Sequence, residues 1–155
     1  MNDREIVERQ LGRAPRAFRR VAVRCPFGRP AVTEQAAFDV DGTPFPTQFW
    51  LTCPHLGTQL ARLEAASGVE RWSTAAAADP ELRSSLARAH DEQRKLRPEL
   101  PGGIGGAGRM GSLKCLHAHA AFALARPGYT LGDRILVDAA PLWPRDRCCT
   151  NVAGA

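Results

Sequence analysis

All of the chain's strand signal lies between Phe18 and Thr52, and the flanks read as helix. Phe18 to Arg24 alternates, with Val21 and Val23 on one side and Arg20, Ala22 and Arg24 on the other. Cys25-Pro26-Phe27-Gly28 then reads as a turn. Ala31 to Val40 is a weaker second strand, ended by the hairpin signal Asp41-Gly42, which Pro44 and Pro46 lengthen into a loop. Gln48 to Thr52 is aromatic and β-prone. In a meander the first and third strands run the same way. Cys25 and Cys53, which follow them, then share one sheet edge, about 10 Å apart if the strands lie in chain order.

Four helices are expected around this sheet. Asp3 to Leu11 has Ile6, Val7 and Leu11 on its apolar side and is stopped by Gly12 and Pro15. Pro54 to Ala66 sets Leu56, Leu60 and Leu63 on one face, with Gly68 just beyond its end. Asp79-Pro80-Glu81 is a capped start for a helix to about Leu96, with Leu82, Leu86 and Ala89 inward and His90 beside them as a core-edge residue. Ser112 to Arg126 places Leu113, Leu116, Ala120 and Leu124 on one stripe, and Arg126-Pro127-Gly128 stops it. Leu131 to Val137 adds a short element. The fold class is therefore α+β: a small antiparallel sheet of about three strands with four or so helices packed against it. Residues 1–140 form a single domain, and residues 141–155 a C-terminal tail.

Composition narrows the function classes. No stretch reaches the roughly 20 apolar residues of a membrane span, and the N-terminus lacks a signal peptide's apolar core. A cytoplasmic protein is expected, and five cysteines, an odd number, argue against a disulfide framework. Residues 1–30 hold eight arginines against three acids, while the remainder is balanced. Without a nucleic-acid motif or interleaved aromatics, this reads as a solvated face rather than a nucleic-acid contact. Gly102 to Gly111 carries six glycines and reads as a mobile loop. Its GAGRMG matches G-x-G-x-x-G, but no strand leads into it. A small anion at Gly102–Ser112 is the remaining possibility there.

Chemistry concentrates at KCLHAH, residues 114–119. Helical spacing puts Cys115 and His119 on one face and points His117 elsewhere. Cys25, Cys53, Cys115 and His119 make a possible metal set, with His117 or His55 as substitutes, for zinc or an iron–sulfur cluster. There is no C-x-x-C pair, so two other readings stand beside it. The cysteines can be small buried hydrophobes at strand and helix ends. Alternatively, Cys115 is a reactive thiol near a helix N-terminus, with His117 or His119 as its base. Cys148-Cys149 has little around it to bury it and reads as incidental.

Four stretches in order, ERQLGR (8–13), RCPFGRPAV (24–32), DGTPFPTQFWLTCP (41–54) and KCLHAHAA (114–121), resemble the uncharacterised actinobacterial family DUF501. The resemblance covers roughly residues 5–126. It implies the shared patterns CP-x-G, DGTPFPT and KCLH, here Cys25, Pro26 and Gly28, Asp41 to Thr47, and Lys114 to His117. Relatives often carry cysteine where Phe27 stands and histidine where Phe122 stands, and the segment before KCLH is usually less glycine-rich. The family has no established activity. The resemblance favours a metal or thiol site over inert burial, and with it a metal-binding protein. The alternatives are a thiol-dependent enzyme using Cys115 with a neighbouring histidine, and a binding module with a basic N-terminus and a structural metal.

Overall fold

The computed structural model describes residues 1–149. Helix α1 (Asp3–Leu11) forms where expected, because both ends are capped in the local sequence. Asn2 and Glu5 make a reciprocal capping box, and Gly12 closes the helix in the left-handed conformation. Ile6 and Val7 are buried, and Gln10 Nε2 donates to the Pro30 carbonyl at 2.8 Å, seating the helix beside the sheet.

The sheet is the expected meander, β1 (Phe18–Arg24), β2 (Pro30–Gln35) and β3 (Phe49–Leu51), antiparallel and in chain order. β2 ends five residues short of its expected limit. Past Gln35 the chain turns away, held by Ala36 N–H donating to the Ala17 carbonyl and by Ala17 N–H donating to the Asp39 carboxylate. The Asp41-Gly42 turn closes one isolated bridge, Phe38 to Pro44, rather than a full hairpin. Central β2 is buried along almost all of its length, as a strand flanked on both edges should be.

Six α-helices occur among the described residues, against the four or so expected. α2 (Pro54–Ala65) and α4 (Pro80–Leu96) match expectation, the latter capped by Asp79 accepting from Glu81 N–H at 2.9 Å. The additional ones are α3 (Gly68–Ala78) and α6 (Thr130–Asp138), the latter built on the short element expected at 131–137. Gly68 opens α3 instead of closing α2. Ser67 takes the left-handed turn (φ 62°), and a Cβ on Gly68 would collide with the Leu63 carbonyl and come within 2.9 Å of Leu116. Glycine stands there because two helices and a side chain meet at the corner, a reason that local sequence does not reveal.

Helix α5 (Leu116–Ala125) lies at the centre, touching β1, β2, β3, α2, α6 and the glycine loop. It is shorter than the expected 112–126, because Cys115 is extended (φ −153°, ψ 154°) and caps it. Its residues 118–123 are all buried, so it is apolar all round rather than striped, as befits a helix enclosed by the core. Phe122 meets Phe49 and Tyr129 edge to face, both at 5.9 Å between ring centroids.

The Gly102–Gly111 segment is not uniformly open. Ile104–Gly106 forms a single helical turn, and Ile104 and Ala107 are buried. His90, wholly buried rather than at the core edge, holds both sides of the loop: Nδ1 accepts from Ile104 N–H at 2.9 Å and Nε2 donates to the Ser112 carbonyl at 3.0 Å. Among the described residues no helix is long and apolar enough to cross a membrane.

Candidate functional site

β3 and the start of α5 enclose a pocket of about 250 Å³. Thr47, Phe49, Trp50 and Leu51 line one wall, and Cys115, His117 and Ala118 the other. The Trp50 ring is braced edge-on by Phe45 at 5.3 Å between centroids. Further back, the buried Arg97 guanidinium donates to the Phe45 and Gln35 carbonyls, fixing the 41–47 loop against the sheet.

The extended conformation at Cys115 overturns the helical-face argument. Its side chain caps α5, with Sγ accepting from Ala118 N–H at 3.4 Å, and so lies at the helix's first turn with His117. Burial pushes the Cys115 thiol pKa up, and the Glu64 charge adds to that. The Ala118 and His117 amides and the Lys114 ammonium offset only part of this, and the thiol stays above its ordinary pKa. His117 Nδ1 contacts Glu64 Oε1 from the last turn of α2. That contact fixes the ring and leaves Nε2 as the nitrogen free to take a proton. Among the described residues no hydrogen bond joins the Cys115 sulfur to the His117 ring. Proton transfer between them therefore needs a small rotation or a bridging group in the pocket. Chemically this is a thiol, a base and a carboxylate that orients the base. Glu64 carries no local sequence signal: it reads as one more outward residue of α2.

His119 does not share this place. It is 1% exposed, with Nδ1 joined to the Tyr129 hydroxyl at 2.7 Å and Nε2 buried without a hydrogen-bond partner. Burial holds its pKa down to about 3, with the neighbouring His90 adding to the effect. It is a neutral core histidine. Phe122, three residues on, is likewise packed in the core.

Cys25 and Cys53 sit at one sheet edge on either side of β2, as the meander predicts. Arg24 pairs with Pro30, and Cys53 N–H donates to the Ala31 carbonyl at 3.3 Å. Cys25 is buried in the CPFG turn, where its carbonyl accepts from Gly28 N–H at 2.9 Å. Cys53 caps α2 without a side-chain bond, and burial pushes its thiol to about 11. His55 Nε2 donates to the Pro141 carbonyl at 2.9 Å. Among the described residues no three His, Cys, Asp or Glu side chains are grouped to hold a metal ion. The expected set of Cys25, Cys53, Cys115 and His119 is accordingly not gathered at one point. Two sit at strand ends, one at a pocket wall and one inside the core.

Of the Cys148-Cys149 pair, expected to have little around it, Cys148 is half-buried and Cys149 exposed. Cys148 is partly buried against the core, as are Leu142 and Trp143, and the Cys149 thiol is near enough to Cys53 to help raise its pKa. The arginine excess is partly neutralised in space: Arg24 pairs with Asp3, Arg16 with Asp39 and Arg20 with Glu34. In the glycine loop the amides of Gly103, Ile104, Gly106, Ala107 and Ser112 all donate to protein acceptors, which leaves an anion fewer donors than the glycine count promised.

No curated protein and no solved structure matches this chain. The family described as a protein of unknown function, DUF501, matches residues 21–136, three quarters of the sequence, and the chain belongs to that family.

Proposed function

We propose that the protein works through Cys115 as a thiol nucleophile, with His117 as its base and Glu64 holding His117 in orientation. One observation carries this reading: Cys115 and His117 line the same pocket while His117 Nδ1 rests on Glu64. The Cys115 proton passes to His117 Nε2, and the resulting thiolate adds to a double-bonded electrophilic carbon of a small ligand, whose π electron pair moves to the far atom and takes the proton back from His117. The helix amides beside Sγ favour the charged sulfur. Phe49, Trp50, Leu51 and Ala118 make the pocket mostly apolar, so the ligand portion beside the electrophile is apolar too. In this reading the thiol works in a reducing compartment, the cytoplasm. Zinc or an iron–sulfur cluster has no step in it, because the ligands named for either are not gathered.

The test is alkylation of the native protein by iodoacetamide, with peptide mapping, in a Cys149→Ser background that removes the exposed thiol. Cys115 is expected to react faster than Cys25 or Cys53, and His117→Gln to slow it at least tenfold at neutral pH. Equal rates with and without His117 sink the proposal.

A further inference from the structure

A second pair of thiols lies away from the pocket. After α6 the chain returns across α2. Gln59 Nε2 donates to the Ala139 carbonyl at 3.2 Å, and His55 Nε2 donates to the Pro141 carbonyl at 2.9 Å. Leu142, Trp143 and Cys148 then pack on the core. These contacts deliver Cys149, which is exposed, to the N-terminus of α2, where its thiol neighbours that of the buried Cys53. One sulfur is open to reagents, and the other waits beside it in a protected position.

We propose that Cys53 and Cys149 are an oxidation site, a dithiol that a peroxide converts to an intramolecular disulfide fastening the C-terminal segment to the start of α2. Cys149 reacts first because it is the exposed one. Its thiolate attacks one peroxide oxygen, the O–O bond breaks, and the departing hydroxide takes up a proton as water. The Cys149 sulfenic acid is then attacked by the Cys53 sulfur. The S–O bond breaks, and the hydroxyl leaves with the Cys53 proton as a second water. Two thiols and one hydrogen peroxide thus become one disulfide and two waters. The fastened segment closes a long loop of chain, so the oxidised protein resists unfolding more than the reduced one.

The experiment treats the full chain with hydrogen peroxide, blocks residual thiols and maps peptides without reduction. The expected product is a monomer with the Cys53 and Cys149 peptides linked and two hydrogens lost, and with Tm raised by several degrees until a reductant reverses it. Cys149→Ser abolishes the link, and Cys148→Ser retains it. Three results overturn the proposal: a Cys148–Cys149 link, a dimer joined through Cys149, or a Cys149 sulfenic or sulfinic acid with Cys53 still reduced. Neither variant alters a buried core thiol, so both are expected to fold.

Discussion

His117 Nδ1 rests on the carboxylate of Glu64, and this contact ties the first turn of α5 to the last turn of α2. The two residues are only partly buried, so the pair adds little to stability, and its effect falls on the ring's orientation. Glu64→Gln is expected to leave the melting temperature within a few degrees and to slow Cys115 alkylation several-fold at neutral pH. An unchanged rate would show that the carboxylate does not orient the base.

Acid should loosen this protein through its buried imidazoles. Burial holds His90 and His119 neutral in the fold, His119 down to about 3, against 6.5 for an ordinary histidine. Below about pH 6.5 the unfolded chain binds protons that the folded chain refuses, so stability is complete above that pH and falls as pH drops toward 3. The slope is about 1.4 kcal/mol per pH unit for each histidine within its window. Urea midpoints measured from pH 8 to 4 check this, and His119→Leu should flatten part of the decline.

Arg97 is 4% exposed and gives its fork to the carbonyls of Gln35 and Phe45. Truncation leaves two inward carbonyls short of a donor, so Arg97→Ala should cost about 3 kcal/mol in denaturant unfolding. Lysine cannot span both acceptors, and Arg97→Lys should recover less than half of that. The same loop supplies Thr47 to the pocket, so Cys115 labelling should change in both variants.

Metal removal offers a separate check. With no three ligating side chains grouped among the described residues, overnight treatment with a strong chelator should leave the melting temperature unchanged. A fall of several degrees, restored by zinc, would return the cysteines to the role that their sequence spacing invited.

Legibility followed the range of each cause. α1 and α4 could be read closely because Gly12, Asp79 and Pro80 act within a turn of where they stand. The meander could be read because strand alternation is local as well, and it carried Cys25 and Cys53 to the same end of β2. α3 was hidden because Gly68 answers to Leu63 and Leu116, one of them far along the chain. Cys115 and His117 were named as candidates, yet helical geometry set them apart. One extended residue, Cys115 itself, moved the helix start and put the pair at one pocket. Glu64 was invisible because its partner comes from a helix formed much later in the chain. His119 looked like a ligand in sequence because nothing local announces Tyr129 and His90 around it.

The glycine segment is two loops in one. Gly103 to Ala107 is anchored: a Cβ on Gly103 would collide with the His90 ring, and one on Gly106 would come within 2.9 Å of Pro46. Gly108 and Gly111 face open space, and Arg109 and Met110 are exposed. Since Pro46 belongs to the 41–47 loop, the anchored half and that loop have lengths that cannot drift independently. The open half is held only at an exposed point, where Arg94 Nη1 donates to the Met110 sulfur at 2.6 Å, and loop tips of this kind accept extra chain readily. An epitope or fluorophore-bearing peptide spliced between Gly108 and Gly111 would therefore ride on the folded protein, whereas the same insertion four residues earlier would break it.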